Sequence, residues 1–588
     1  MSWWERYPGE LEREIDELQF AGMKPKANFA HGKATIQIRL WLLGSEMDGT
    51  IVYPDLYPYF RPSLHVFGLG CNLRHYDSRS GYVCLLERGS QHWLPQMTAA
   101  QHILEMLPHW EAAAVRKYGD SRLEREDGQA EPLSVYYPAV QGQYVLIDSS
   151  WQVPPEITAG RIKIAFPKGY KSLLPSETFS AWVAGLQDSN KNPIPAATLP
   201  DCLQQWIHSQ NFIDCVYPWK RIDSLPVART PDELANLLAA SNPEVAAHLR
   251  KEIAAVRSGL YGFCFPEESP AGGYRDGWIF IAYHCDIRAK RGGRGGASVW
   301  IIRTEYAGEK DLFERVPELN PLRQRTVAVI GLGCVGAPSA LAFARAGVGE
   351  LRLLDGDHVS PGTVCRWPLG LPASGAGKVK EISTFVSQQY PFTRIGTAHY
   401  DHESGNDGRV TIGACDVGKD QWDCLEKLIE GADLVYDATA EQGINLLLAD
   451  LASSRKIPYV AVASRAGGWG GDVLRIRPGS TEGCYLCYLH SLRAQEIPHP
   501  PYDPKGDGLQ PVGCGDVTFK AASFDVEEVA LAGVRVAVST LCEHAVGGYP
   551  RLTGDVGVLS LRNEGQAVFP EWRSYTLRKH PACERCNK

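Results

Sequence analysis

Residues 326–357 read TVAVIGLGCVGAPSALAFARAGVGELRLLDGD, Thr326 to Asp357, and they decide how the second half of the chain is read. A run of β-formers, Val327, Val329 and Ile330, leads into Gly331-x-Gly333-x-x-Gly336. An alanine-rich helical pattern follows, then a second apolar strand with Leu351, Leu353 and Leu354 that ends in Asp355-Gly356-Asp357. Glycine at the three spaced positions lets the backbone turn tightly and come close to a phosphate. The helix that starts there offers unpaired N–H groups and the positive end of its dipole. An acid about 20 residues further on, Asp355, can accept from a ribose hydroxyl. The stretch therefore predicts a strand, a phosphate-binding turn, a helix and a strand that together bind a nucleotide.

A glycine turn of this kind most often serves a dinucleotide-dependent oxidoreductase, but the residues that follow point elsewhere. Arg366 and Lys378, the latter in Gly375-Ala376-Gly377-Lys378, are cations suited to a triphosphate. Asp437, at the end of a strand pattern reading DLVYDATA, is an oxygen ligand suited to Mg2+. A dehydrogenase needs neither. The expected nucleotide is ATP, with Gly331, Gly333, Gly336, Asp355, Asp357, Arg366, Lys378 and Asp437 around it. Cysteine spacing supplies the second signal. Of 16 cysteines, four form two CxxC hooks, Cys484 with Cys487 and Cys583 with Cys586. Two such hooks can meet tetrahedrally around Zn2+, each giving two thiolates to a closed structural site.

At 588 residues the chain has room for several domains, each with its own core. A net charge of -8 argues against an electrostatic nucleic-acid binder. No apolar run reaches the ~18 residues of a membrane-spanning helix. The start, MSWWERYPGELEREIDEL, is amphipathic and acidic rather than a signal peptide. With the zinc hooks and the scattered cysteines, this places the expected chain in a reducing cytoplasm. Three segments are expected. Residues 1–130 open with a helix and continue through strands (ATIQIRLWLL, GTIVYP, SLHVFGL) to a helix at about Thr98 to Tyr118. The polar run of residues 120–132 reads as a linker. Residues 131–315 form an α/β middle domain with no nameable motif, a helix near Pro231 to Ser258 and an apolar strand at Gly277 to His284. Its basic, glycine-rich loop, Arg288 to Gly296, reads as a solvated hairpin. Residues 316–588 carry the nucleotide and zinc features.

The first segment has candidate chemistry of its own. Residues 54–62 read PDLYPYFRP, followed by His75, then Gly81-Tyr-Val-Cys84-Leu, then Trp93-Leu-Pro95 before a helix. This order of helix, strand meander, YPxxxP, Cys-Leu, Trp-x-Pro and helix resembles the ubiquitin-conjugating enzyme fold over about residues 1 to 120. Cys84 falls at that family's catalytic cysteine. Where the family carries His-Pro-Asn, this chain has His75-Tyr76-Asp77. Cys71, in no such setting, reads as an ordinary buried thiol.

The last segment resembles the ThiF- and MoeB-like adenylating family, which includes ubiquitin-activating enzymes. The likeness rests on GLGCVG, ARAGVGELRLLDGD, Arg366, Lys378, Asp437 and the two CxxC hooks. Where the family has Asn in a short turn before the arginine, this chain reads Ser360-Pro-Gly-Thr-Val-Cys-Arg366. The resemblance implies a Rossmann-like adenylation domain in which ATP and magnesium convert the C-terminal carboxylate of a partner protein to an acyl-adenylate. A thiol then takes the acyl group. The expected thiol is Cys514, in the loop Gln510 to Asp516 before a helix at about Val526 to Val546, with Cys365 as second choice. Cys334 and Cys542 are expected to pack. Catalytic roles thus fall to Cys84, Cys514, Arg366 and Lys378. Joined in one chain, the two activities would relay an acyl group from Cys514 to Cys84 and on to a target amine, usually lysine. Such fusions resemble the bacterial conjugation proteins that accompany cGAS-like nucleotidyltransferases in CBASS anti-phage operons, where the activated tail is the nucleotidyltransferase's own. Alternatives are conjugation of a bacterial ubiquitin-like protein, a sulfur-carrier activating enzyme, or a non-catalytic scaffold. The likeness also implies a homodimer.

Overall fold

The computed structural model describes residues 2–69, 73–85, 93–115, 134, 142–168, 176–226, 228, 230–255, 257–269, 273–285, 297–397, 400–401, 406–407, 412, 420–505, 507–509 and 518–587. The chain divides into two compact units, one of residues 1–199 with 207–312, the other of residues 200–206 with 313–588. The 120–132 run, the Arg288 to Gly296 loop, Cys71 and Cys514 lie outside the described residues.

The first unit begins with two short-spaced helices, α1 (Trp3–Arg6) and α2 (Pro8–Phe20). Pro8 separates them, because its ring cannot continue a helix but fits the first turn of a new one. Six strands follow: β1 (Lys26–Ala30), β2 (Lys33–Leu42), β3 (Ser45–Tyr53), β4 (Ser63–Val66), β5 (Tyr76–Asp77) and β6 (Tyr82–Val83). They make an antiparallel sheet in the order β1-β2-β3-β4-β6-β5. In β2 every second residue is buried, and Ile36, Ile38, Leu40 and Leu42 face a core shared with Leu18 and with Ile103, Leu107 and Trp110 of α3 (Ala99–Ala114). Thr98 caps α3, its hydroxyl accepting from the Gln101 N–H at 3.3 Å. Buried Glu14 ties α2 to the start of α3: it accepts from the hydroxyls of Tyr53 (2.7 Å) and Tyr57 (2.5 Å) and from the Ala99 N–H (3.0 Å).

The same unit carries an eight-stranded mixed sheet made from β7 (Gln143–Ile147), β8 (Ala159–Phe166), β9 (Phe179–Asp188), β10 (Pro193–Thr198), β11 (Ile213–Arg221), β12 (Gly259–Glu268), β13 (Tyr274–Cys285) and β14 (Ala297–Tyr306). Their order is β10-β9-β7-β14-β13-β12-β11-β8. The expected apolar strand is the centre of β13. A helix α4 (Asp201–Ser209) comes between β10 and β11. The single helix expected near Pro231 to Ser258 is two, α5 (Pro231–Ser241) and α6 (Pro243–Ala254). Pro243 excludes the α conformation for Asn242, which sits at φ -136° and starts the second helix.

After α7 (Glu309–Phe313), the second unit is built on a sheet of β15 (Thr326–Ile330), β16 (Glu350–Leu354), β17 (Arg394–Thr397), β20 (Leu434–Asp437), β21 (Tyr459–Ser464), β22 (Gly470–Ile476), β25 (Val556–Asn563) and β26 (Gln566–Tyr575). Small two-stranded ladders β18 (Tyr400–Asp401) with β19 (Asn406–Asp407), and β23 (Asp507–Leu509) with β24 (Thr518–Phe519), stand apart. The order β17-β16-β15-β20-β21-β22-β25-β26 is parallel through β21 and antiparallel beyond it. Helices cover both faces, which is why β15 is apolar at successive positions. Val327 and Val329 pack toward α8 (Gly336–Arg345), α9 (Lys378–Gln389) and the long α13 (Ser523–Leu541). Ala328 and Ile330 pack on the other face with α10 (Asp420–Ile429), α11 (Gln442–Ser454) and α12 (Tyr485–Arg493). The protein is thus a mixed α/β molecule with several sheets. Among the described residues, no helix is long and apolar enough to cross a membrane.

Candidate functional site

The C-terminal ends of β15, β16 and β20 open into a pocket of about 450 Å³, lined by Gly331, Gly333, Asp355, Asp357, Lys378 and Thr439 among others. The three glycines of the motif are glycines for three different reasons. Gly331 has φ +85°, and a Cβ there would stand 2.9 Å from the Ala438 and Thr439 backbone. A Cβ on Gly336 would fall 1.9 Å from the Gly331 carbonyl oxygen, so this residue closes the turn against α8. Gly333 meets nothing within 4 Å and its φ is unexceptional. Nothing in the chain requires glycine there, and without a side chain its backbone stays open to close approach.

Asp355 holds this loop in place. One carboxylate oxygen accepts the Leu332 N–H at 2.6 Å and the other the Asp357 N–H at 2.8 Å. Lys378, the first residue of α9, places its Nζ 2.6 Å from Asp357. Burial by itself would raise the Asp357 pKa, but the hydrogen bond and charge of Lys378 outweigh it and hold the carboxyl below its usual range. The pocket therefore brings together a backbone cradle, the Lys378 cation and the Asp355 and Asp357 carboxylates.

Two expected members lie elsewhere. Asp437 is fully buried and does not reach the pocket wall. Its carboxylate accepts from Asn445 Nδ2 (2.7 Å), the Tyr459 hydroxyl (2.7 Å), and the N–H (3.0 Å) and hydroxyl (2.7 Å) of Thr439. Desolvation raises its pKa despite these donors. Asp437, the expected magnesium ligand, is here a hydrogen-bond hub that fixes the end of β20, and of the expected acids Asp357 and Asp355 face the pocket. Arg366 is likewise committed. It donates to the Phe519 carbonyl at 2.6 Å and to the Thr518 hydroxyl at 2.5 Å, and its guanidinium stands 5.4 Å from the Phe519 ring centre. It ties the segment after β16 to β24 rather than lining the pocket. Cys365 beside it is exposed, Cys542 is buried, and half-buried Cys334 has its thiol pKa raised by burial.

The four hook cysteines converge. Their sulfurs lie within 4.8 Å of one another. Cys484 is 3.8 Å from Cys487 and 3.6 Å from Cys583, and Cys487 is 3.6 Å from Cys586. A zinc–thiolate tetrahedron with bonds of about 2.3 Å has sulfur–sulfur edges of about 3.8 Å. The donor set and its spacing therefore fit Zn2+. The His580 N–H points at Cys487 Sγ from 3.4 Å, the kind of outer hydrogen bond that supports a thiolate ligand.

Cys84 directly follows β6 and is half-buried. Its N–H donates to the His75 carbonyl at 2.9 Å, and the Trp110 indole donates to the same oxygen at 2.9 Å. His75 adopts φ +56°, which turns that carbonyl toward both donors. The Tyr76 hydroxyl is spent on the Val66 carbonyl at 2.9 Å, and Asp77 accepts from the Arg79 N–H (3.0 Å), Arg79 Nε (3.0 Å) and the Ser80 hydroxyl (2.8 Å). The His75-Tyr76-Asp77 triplet thus shapes the backbone around Cys84, and the Tyr76 and Asp77 side chains bond elsewhere. Burial first, and the neighbouring Cys84 second, raise the pKa of the Tyr82 hydroxyl.

Residues 309–529 match the ThiF family. Two proteins of Sinorhizobium fredii are similar over nearly the whole chain. Protein y4qC is 29% identical over 90% of this chain and 88% of its own. Protein y4oA is 27% identical over 99% of this chain and 97% of its own. Ubiquitin-like modifier-activating enzyme 5 of Drosophila ananassae is 25% identical over 31% of this chain and 44% of its own. The second unit therefore carries a ThiF- and MoeB-like adenylation domain, related to ubiquitin-activating enzymes, on a Rossmann-like sheet.

Proposed function

We propose that the protein uses ATP to activate the C-terminal carboxylate of a partner protein, carries the acyl group as a thioester, and joins it to a target amine. The open space over Gly333, bordered by Lys378, Asp355 and Asp357, carries this reading. The triphosphate lies on the glycine turn and the α8 N-terminus, with the ribose toward Asp355. Asp357 would hold a magnesium ion with the phosphates, which would offset their charge. The partner's carboxylate oxygen attacks the α-phosphorus, an acyl-adenylate forms and pyrophosphate leaves. Lys378 neutralises the leaving charge, worth a few kcal/mol for a well-placed donor. Cys514 then attacks the activated carbonyl and AMP leaves. Cys84, in a domain like ubiquitin-conjugating enzymes, takes the acyl group and delivers it to a lysine. The hook cysteines hold a structural zinc.

The order of conjugating, middle and adenylating domains favours a cGAS-like nucleotidyltransferase as the activated partner, in a CBASS operon and in the cytoplasm, with the enzyme acting as a homodimer. The test is pyrophosphate exchange and gel analysis of the protein with its operon-encoded neighbours and Mg-ATP. Exchange lost about 10²-fold in Lys378→Ala, the Cys84 adduct alone lost in Cys84→Ser, and both reductant-sensitive adducts lost in Cys514→Ser, are expected. An adduct on a ubiquitin-like neighbour instead would reassign the partner. No exchange with any neighbour would leave a scaffold, and full activity in Cys84→Ser would leave a sulfur-carrier activating enzyme.

A further inference from the structure

The backbone around Cys84 is held from outside its own sheet. Arg74, two residues before β5, places Nη1 2.6 Å from each carboxylate oxygen of Glu268, the last residue of β12 in the eight-stranded sheet. Only 5% of the Arg74 side chain and 14% of the Glu268 side chain are exposed. Desolvating two charges offsets most of their attraction, so such a pair adds little net stability, but it fixes the distance between two elements. Glu268 stands on a rigid support. It pairs with Tyr274 across β12 and β13, and the Ser269 N–H closes that hairpin on the Gly273 carbonyl at 3.0 Å. Its neighbour Glu267, on the opposite face of the strand, is buried and accepts from the hydroxyls of Tyr306 (2.7 Å) and Ser134 (2.9 Å). Gly277 makes the room for it, since a Cβ there would fall 2.6 Å from the Glu267 carboxyl carbon. On the other side of the pair, the Arg74 N–H donates to the Ala114 carbonyl at the end of α3 (3.2 Å). His75, the next residue, sits at φ +56°, a conformation that a non-glycine residue keeps only where its surroundings hold it. Its carbonyl accepts the Cys84 N–H and the Trp110 indole, both at 2.9 Å. Glu268, Arg74, His75 and the Cys84 backbone thus form one run of contacts from the larger sheet to the thiol-bearing residue.

We propose that the eight-stranded sheet serves to position Cys84, with Glu268 and Arg74 as positioning residues that hold the His75 carbonyl and, through it, the Cys84 backbone. This rests on the reading of Cys84 as an acyl carrier and goes beyond it by giving the middle segment of the chain a role in that step. Acyl transfer between sulfurs needs the attacking atom at the right distance and angle, and a displacement of about 1 Å can cost about 10²-fold in rate. Cys84 sits at the end of a two-residue strand, β6, which by itself fixes little. The ion pair ties the preceding turn to a sheet that is anchored separately.

The test is amide hydrogen exchange of the full-length protein by mass spectrometry, together with formation of the Cys84 adduct on gels with Mg-ATP and the operon-encoded neighbours. The variants are Glu268→Gln, Arg74→Gln and the paired Arg74→Met with Glu268→Leu. The paired variant leaves no uncompensated buried charge, so it keeps the fold while losing the directional hold. In each, the peptide containing the Cys84 amide should exchange about tenfold faster, while exchange in β2 stays as in wild type. The Cys84 adduct should form about ten- to a hundredfold more slowly, with pyrophosphate exchange unchanged. Wild-type protection of the Cys84 amide in all three variants would overturn the positioning proposal and leave the carrier reading standing. Equal acceleration of exchange in β2 would overturn it as well, because the pair would then support the fold at large. Full target modification by Cys84→Ser would overturn the carrier reading itself, whatever the exchange shows.

Discussion

Single residues in the pocket separate what the fold needs from what a ligand needs. Gly336 and Gly333 belong to one motif, yet only Gly336 is pressed by the chain itself. Gly336→Ala should cost about 3 kcal/mol or more and disorder the turn, visible as a lowered urea midpoint. Gly333→Ala should leave stability within about 0.5 kcal/mol and weaken ATP binding about tenfold, a loss of about 1.4 kcal/mol by calorimetry. Asp437 is fully buried and carries a pH signature of its own. Its folded pKa lies above its ordinary 3.8, so its contribution to stability is complete below that value and declines as the pH rises through the folded value. Asp437→Asn should therefore flatten the fall in unfolding free energy above pH 3.8, measured by urea titration across pH. The motif placed both residues at the right strand ends. Which way the Asp437 side chain turned depended on Asn445 and Tyr459, from α11 and β21, and no local pattern announces those partners.

At the scale of elements, boundaries followed the chain's punctuation. Strand alternation in β2 and the glycine turn after β15 were readable because period and turn chemistry are local. Pro8 and Pro243 each divided a helix that periodicity alone joins. The hook cysteines show what two distant elements do together. Cys484 precedes α12 and Cys487 lies within it, while Cys583 and Cys586 come from the end of the chain, so one ion would staple that end to α12. About one zinc per chain is expected by elemental analysis, lost in Cys583→Ser. Chelation should lower the melting temperature of the second unit's transition, because metal bound only by the folded state adds directly to stability. Retention of the melting temperature after complete zinc removal would exclude a structural site.

For the whole molecule, a relay within one chain has a kinetic signature. A chain with Lys378→Ala keeps Cys84, and a chain with Cys84→Ser keeps the adenylating pocket. Mixed together, they should modify target at a rate that rises with protein concentration, while wild type is independent of it until linked sulfurs no longer enjoy a high effective concentration. Equal rates for the mixture and wild type in dilute solution would point to free diffusion of the acyl carrier. The amino-acid order by itself determined the nucleotide turn, the alternating strands and the two CxxC hooks, because each depends on backbone geometry and spacing within a few residues. Only the tertiary structure decided that Asp437 is a buried hub and that Arg366 is spent on β24. Those outcomes depend on which groups distant segments bring within about 3 Å, and hydrogen bonding at that range is set by packing rather than by any spacing along the chain.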